Sequence, residues 1–176
     1  MLPTIEYLKE NATNIYYFGL GFIQVKIGDN IRYNFYHPEL TPCFVRGEEV
    51  HSHHYDLEST ILKGVLVEST YEVRPSNNGA WEFCEIDCKG NNTKLFPCIK
   101  LSSEDNFYEA GDSYKRDFAT MHSVTAIRPT ITKVVKGKHY DKAFCLMLRN
   151  QEECTPFTHD RHPQVCWDIV EEILKC

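Results

Sequence analysis

The chain has 176 residues, 42% of them apolar, with a formal net charge of -6 at pH 7. That length supports one domain with a real core and is short for two. Lysines and arginines are dispersed rather than clustered, so no concentrated positive field is offered to a nucleic acid, and a small molecule or a protein partner fits better. No apolar run approaches the ~20 residues a membrane helix needs, and residues 1–6 lack the basic and apolar segments of a secretory signal. The expectation is a cytoplasmic protein whose eight cysteines are reduced thiols, not a disulfide framework.

Thr4 is placed to cap a short helix over residues 4–12, with Ile5, Leu8 and Ala12 on one stripe, and this helix is expected to lid one end of a barrel. Aromatic and β-branched residues then dominate. Residues 15–27 read as a strand that turns at Gly28, Asp29 and Asn30 into a second strand over 31–36. Two strands are expected around Gly64, a hairpin with its tip at residues 77–79, and a turn at 89–93 before a strand over 94–101. Alternation continues over 124–135, and residues 142–149 give a last apolar strand. Pro163 suits the first turn of a helix over 162–175, whose stripe of Val165, Ile169, Val170, Ile173 and Leu174 must dock on the sheet or on a second subunit, as in a homodimer. Strand and turn recur at the spacing of a sandwich or barrel, so a single domain over 1–176 is expected, with the barrel spanning 14–150.

The densest chemistry is His51-Ser52-His53. On a strand, two histidines one residue apart project from the same face and can grip one ion. Glu58 could return to that ion if the strand bulges or turns, and His122 could answer from far along the chain. Imidazoles with one carboxylate suit Fe(II), Ni, Mn or Zn. His54 alternates to the opposite face, and His37, His139, His159 and His162 lie in turn-like surroundings that suit the surface.

Here the chain resembles the cupin superfamily. His51, His53 and Glu58 stand at the internal spacing of its first motif, with Gly47 and Gly64 closer to the ligands than the pattern asks. Gly111 and His122 keep the interval of its second motif, with Asp117, Ala119 and Ala126 in place of the usual proline, glycine and asparagine. The resemblance implies a mostly β fold, a cupin-type double-stranded β-helix or jelly-roll barrel with short terminal helices. It also implies a divalent metal held by His51, His53, Glu58 and His122. Residues 64–70, with Leu66 and Glu68 after Gly64, look somewhat like the run that follows the three-histidine Fe(II) site of thiol dioxygenases, although those enzymes lack the first-motif glutamate as a ligand.

Inward positions of a small barrel line a cavity. Arg32 and Asn34 alternate with Tyr33 and Phe35, so one of these pairs faces inside, and an inward Arg32 would clamp a carboxylate or phosphate. Tyr55 shares parity with His51 and His53 and is the expected catalytic hydroxyl. Tyr114 and Arg128, which flank the second motif, are further substrate-binding candidates. Three functions follow: a metal-dependent enzyme for a small polar metabolite, with an Fe(II) dioxygenase favoured, a barrel that captures a small molecule without chemistry, or a protein-interaction barrel whose histidines are relics of the fold.

Overall fold

The computed structural model describes residues 1–37, 40, 50–149, 158–159 and 163–176, with the backbone alone for Ser103, Thr158 and His159. Gly47, the linking segment 42–47 and His162 lie outside the described residues, and so does the side chain of His159. Fourteen elements follow in order: α1 (Ile5–Asn11), β1 (Ala12–Phe18), β2 (Phe22–Ile27), β3 (Ile31–Tyr36), β4 (Tyr55–Lys63), β5 (Val65–Pro75), β6 (Trp81–Asp87), β7 (Asn92–Glu109), β8 (Ser113–Arg116), β9 (His122–Ala126), β10 (Thr130–His139), β11 (Lys142–Leu148), β12 (Thr158–His159) and α2 (Pro163–Lys175).

Two antiparallel sheets result, one ordered β12-β1-β2-β3-β10-β4-β8 and the other β11-β6-β7-β5-β9. From β7 onward the chain passes to the other sheet at every step through β11, and β4 runs into β5 across the same divide. That shuttling is the cupin-type jelly roll. Gly64 makes the crossing from β4 to β5 possible. Its φ of 86° belongs to the left-handed region, and a Cβ there would stand 2.3 Å from Thr130 Oγ1 and 2.5 Å from the Pro129 carbonyl.

The boundaries differ from expectation in places with physical causes. Residues 15–27 do not form one strand, because Gly21, with φ 86°, turns the chain between β1 and β2. The strand expected over 94–101 extends to the 18 residues of β7, long enough to pair β6 at one end and β5 along most of its length.

Around β1, β2 and β3 both faces of the first sheet are buried, by different partners. Tyr17, Ile23, Val25, Tyr33, Phe35 and Ile131 point outward into a cluster completed by Leu8 of α1 and Cys166, Val170 and Ile173 of α2. The helices therefore cover the outer face of the sheet around β1, β2 and β3, and α1 does not lid the barrel end. Thr4 caps α1 by accepting from the Tyr7 N–H at 3.1 Å, and Lys63 Nζ donates to the Ile173 carbonyl near the end of α2 at 3.0 Å. α2 commits Val170 and Ile173 to its own chain's sheet, and Val165 of the same stripe is exposed.

The inward face carries a layer of polar side chains. Tyr16 hydrogen-bonds Gln24 Oε1, Gln24 Nε2 donates to Asn34 Oδ1 at 3.3 Å, and Asn34 Nδ2 donates to Thr132 Oγ1 at 3.2 Å, a chain that crosses β1, β2, β3 and β10. Register places these residues opposite one another. Buried amides persist here because each finds a partner on the next strand.

Candidate metal centre

His51 and His53 do not lie on a regular strand. Residues 50–52 instead span the free edges of the second sheet: His51 exchanges backbone hydrogen bonds with His122 at the start of β9, both 3.0 Å, while Ser52 N–H donates to Phe144 and Leu146 N–H to Val50 on the β11 side. Val50 anchors the segment in a core with Cys98, Met121 and Leu146. His51 thus lies beside His122 although 71 positions separate them in the sequence.

The three imidazoles converge. One nitrogen from each of His51, His53 and His122 falls within 4.8 Å of the others, and His53 Nε2 stands 3.0 Å from His122 Nε2. His122 is buried and its other nitrogen, Nδ1, lies 2.6 Å from Glu68 Oε1. A proton on Nδ1, donated to the carboxylate, leaves the Nε2 lone pair aimed at the cluster. This carboxylate behind a histidine is the arrangement that orients metal-binding imidazoles and raises their basicity.

Glu68 is itself fully buried and firmly held. Arg116 donates from Nε to Oε1 at 3.1 Å and from Nη2 to Oε2 at 2.5 Å, and from Nη2 also to the Tyr108 hydroxyl at 3.1 Å. Burial alone would raise the Glu68 carboxyl, but hydrogen bonds and charge from His122 and Arg116 together outweigh it and hold the group below its usual range. His53 shifts the other way for an imidazole. Loss of hydration first, and then the charges of His51, Arg32, His122 and His54, hold it well below its ordinary value, so it is a neutral donor.

Two spaces border these rings. A chamber of about 30 Å³ inside the barrel touches all three histidines and is walled by Leu57, Ser59, Tyr36 and Tyr114. Burial pushes the Tyr36 phenol up to about 12 and raises that of Tyr114 as well, so both walls stay uncharged. A larger cavity of about 250 Å³ opens outward from His51 and His53, past Tyr55, Arg32 and Phe22.

Several expected residues meet at this place. Arg32 and Asn34 are the inward pair of β3, because Tyr33 and Phe35 are taken up by the cluster beneath the helices. Tyr55 stacks on His53, with ring centroids 5.4 Å apart and planes 12° from parallel. Tyr114 lines the inner chamber and stacks on Tyr108 at 4.5 Å, away from the outer cavity. His54 is half-buried and lines the outer cavity, where solvent or packing outside was expected.

Two expected residues stand elsewhere. Glu58 points outward, because Leu57 and Ser59 occupy the inward positions of β4, and it pairs with Lys115 at 3.4 Å with its side chain 49% exposed. Strand alternation defeats the return to the ion that its motif spacing suggests. Arg128 is exposed in the link between β9 and β10 and borders neither space. The carboxylate that serves the cluster is Glu68, through His122. Its sequence signal was a glutamate at a buried parity of β5, two positions after Leu66, where an apolar residue is the norm.

No protein-family model and no curated protein matches the sequence. Among solved structures the chain is similar to Drosophila melanogaster CENP-C bound to CAL1, with 9% identity and a TM-score of 0.35 over 66% of this chain and 76% of that one. It is likewise similar to the Drosophila melanogaster CENP-C cupin domain, with 10% identity and a TM-score of 0.35 over 66% and 70% of the two chains. Likeness at that distance says nothing of function, and the site stands on its own geometry. Among the described residues no helix is long and apolar enough to cross a membrane.

Proposed function

We propose that this chain is a metal-dependent cupin enzyme in which His51, His53 and His122 hold a divalent ion, Fe(II) by preference, and a small polar metabolite is oxidised by dioxygen in the cavity beside them. The observation that carries this reading is the meeting of three imidazole nitrogens, one of them backed by a buried carboxylate, with His51 and His53 also lining an open cavity. The donor set fits: neutral imidazoles suit Fe, Zn, Ni and Cu, and no carboxylate joins the cluster among the described residues. An Fe(II) ion bound there would supply a redox-capable Lewis acid with positions left open to ligands.

The chain's own residues do the rest. Glu68 keeps the His122 proton on Nδ1, so Nε2 remains a donor. Arg116 and Tyr108 fix the carboxylate, which fixes the ring. Tyr55 covers one face of His53 and places a phenol at the cavity wall, where it can orient a ligand. The apolar flank of Phe18 and Phe22, stacked at 4.9 Å, keeps water from that side.

Anaerobic loading with ferrous ion, followed by oxygen-electrode measurement across a library of small polar metabolites, tests the proposal. Oxygen uptake that depends on one library member and is lost in His122→Ala supports it. If a metabolite binds and is recovered unchanged with no oxygen consumed, the barrel is a capture module instead.

A further inference from the structure

The outer cavity carries a charge pattern that the metal does not account for. Lys26 of β2, Arg32 of β3 and Lys136 of β10 line it together, each half-buried, and among the described residues no aspartate or glutamate lines it. Their convergence follows from register. Lys26 is the cross-strand partner of Arg32, Val134 faces Arg32 from the other side, and Lys136 stands one inward position beyond Val134. Lys26 and Arg32 form the next layer outward from Gln24, Asn34 and Thr132, and Lys136 the one beyond, so the barrel interior changes from neutral amides to positive charge outward.

Among the described residues no carboxylate pairs with these charges. Arg32 Nε is buried with no hydrogen-bond partner there. Lys136 Nζ is held by the backbone carbonyl of Asp29 at 2.9 Å. Arg32 and Lys136 both lie over the Tyr55 ring, at 5.6 and 5.1 Å from its centroid, and Lys26 lies over Tyr16 at 5.1 Å. Lost hydration first, and then Lys26 and Arg32, make the ammonium of Lys136 less favourable than usual, with only the Asp29 charge opposing them. Three like charges and an orphaned guanidinium N–H in a site of this size are costly unless an anion completes it.

We propose that the outer cavity binds a small organic dianion, with two negative charges shared among Lys26, Arg32 and Lys136 and the rest of the ligand lying against Tyr55 toward the histidines. This rests on reading the cavity as the ligand site of the histidine centre. The ligand's charge can come from two carboxylates or from a phosphate monoester. The guanidinium of Arg32 suits a bidentate contact with either, and the lysines supply point charge.

Calorimetric titration of the full chain after chelation and dialysis tests this, with succinate and glycerol 3-phosphate as the dianions and acetate and glycerol as controls. Binding of either dianion about tenfold or more tighter than the controls, weakened about tenfold in both Lys26→Met and Lys136→Met, supports the proposal, and the tighter dianion identifies the source of charge. Dianions that bind no better than acetate, or equally well to both lysine variants, overturn it. Metal analysis of the wild-type chain separates the two readings: a wild-type protein that takes up no metal yet binds the dianion through Lys26 and Lys136 leaves the dianion site standing and removes the proposed enzyme.

Discussion

Glu68 Oε1 lies 2.6 Å from His122 Nδ1, at the centre of a buried relay that begins at Arg116 and ends at the imidazole cluster. The relay joins β5, β8 and β9, elements that belong to both sheets. Glu68→Gln keeps the shape of the side chain, removes the charge, and can present an amide in place of the acceptor. Metal affinity is expected to fall about 10–100-fold, the usual cost of losing such a carboxylate, with the fold retained. Competition against a fluorescent zinc chelator reads the change, and Glu68→Asp should recover part of it.

Arg116 neutralises that carboxylate from a site 20% exposed, while Glu68 has no exposure at all. Removing the arginine strands a buried charge, so Arg116→Met should destabilise the protein by about 3 kcal/mol by urea unfolding, whereas the double variant Arg116→Met with Glu68→Leu should recover much of the loss.

The stability of the metal-free protein should carry the signature of Glu68 against pH. Its carboxyl titrates lower in the folded state than in the unfolded chain. The folded state therefore binds fewer protons in the acid range, and the stabilisation is complete above the unfolded carboxyl value and lost as pH falls through the folded one. Urea midpoints of chelator-treated protein between about pH 6 and 3 should fall more steeply for wild type than for Glu68→Gln. Equal slopes would remove Glu68 from the acid transition.

Glu58→Ala, in contrast, should leave metal content unchanged and move stability by no more than about 0.5 kcal/mol, since an exposed pair with Lys115 contributes little. A metal-depleted Glu58→Ala protein would contradict the orientation of β4.

At Gly64, alanine meets both a left-handed φ and the Thr130 hydroxyl at 2.3 Å. Gly64→Ala should cost more than about 1 kcal/mol, because strain and overlap add, and the loss should appear in thermal unfolding of metal-free protein as well as of loaded protein.

Much of the architecture was legible because strand alternation is local. Glycine and asparagine turns marked most hairpins, and the His51-Ser52-His53 spacing identified two members of the cluster without knowledge of what faced them. His122 was reachable only through a motif interval measured from Gly111. Glu58 misled because spacing along the chain says nothing of which side of β4 a residue leaves by. Glu68 stands in a distinctive sequence run, but its role depends on Arg116 and His122, whose approach is set by the packing of three strands. Lys26 and Lys136 were hidden for the same reason: each is an ordinary strand lysine until register sets it beside Arg32.

Three imidazoles, those of His51, His53 and His122, are placed to share one cation. X-ray absorption at the zinc edge, on protein loaded with one equivalent of zinc, tests it most directly. The account predicts about three imidazole scatterers at ~2.0 Å with no sulfur, reduced by one in His122→Ala. Zinc held by sulfur or by carboxylate alone, or a wild-type protein that retains no zinc after dialysis, would contradict it.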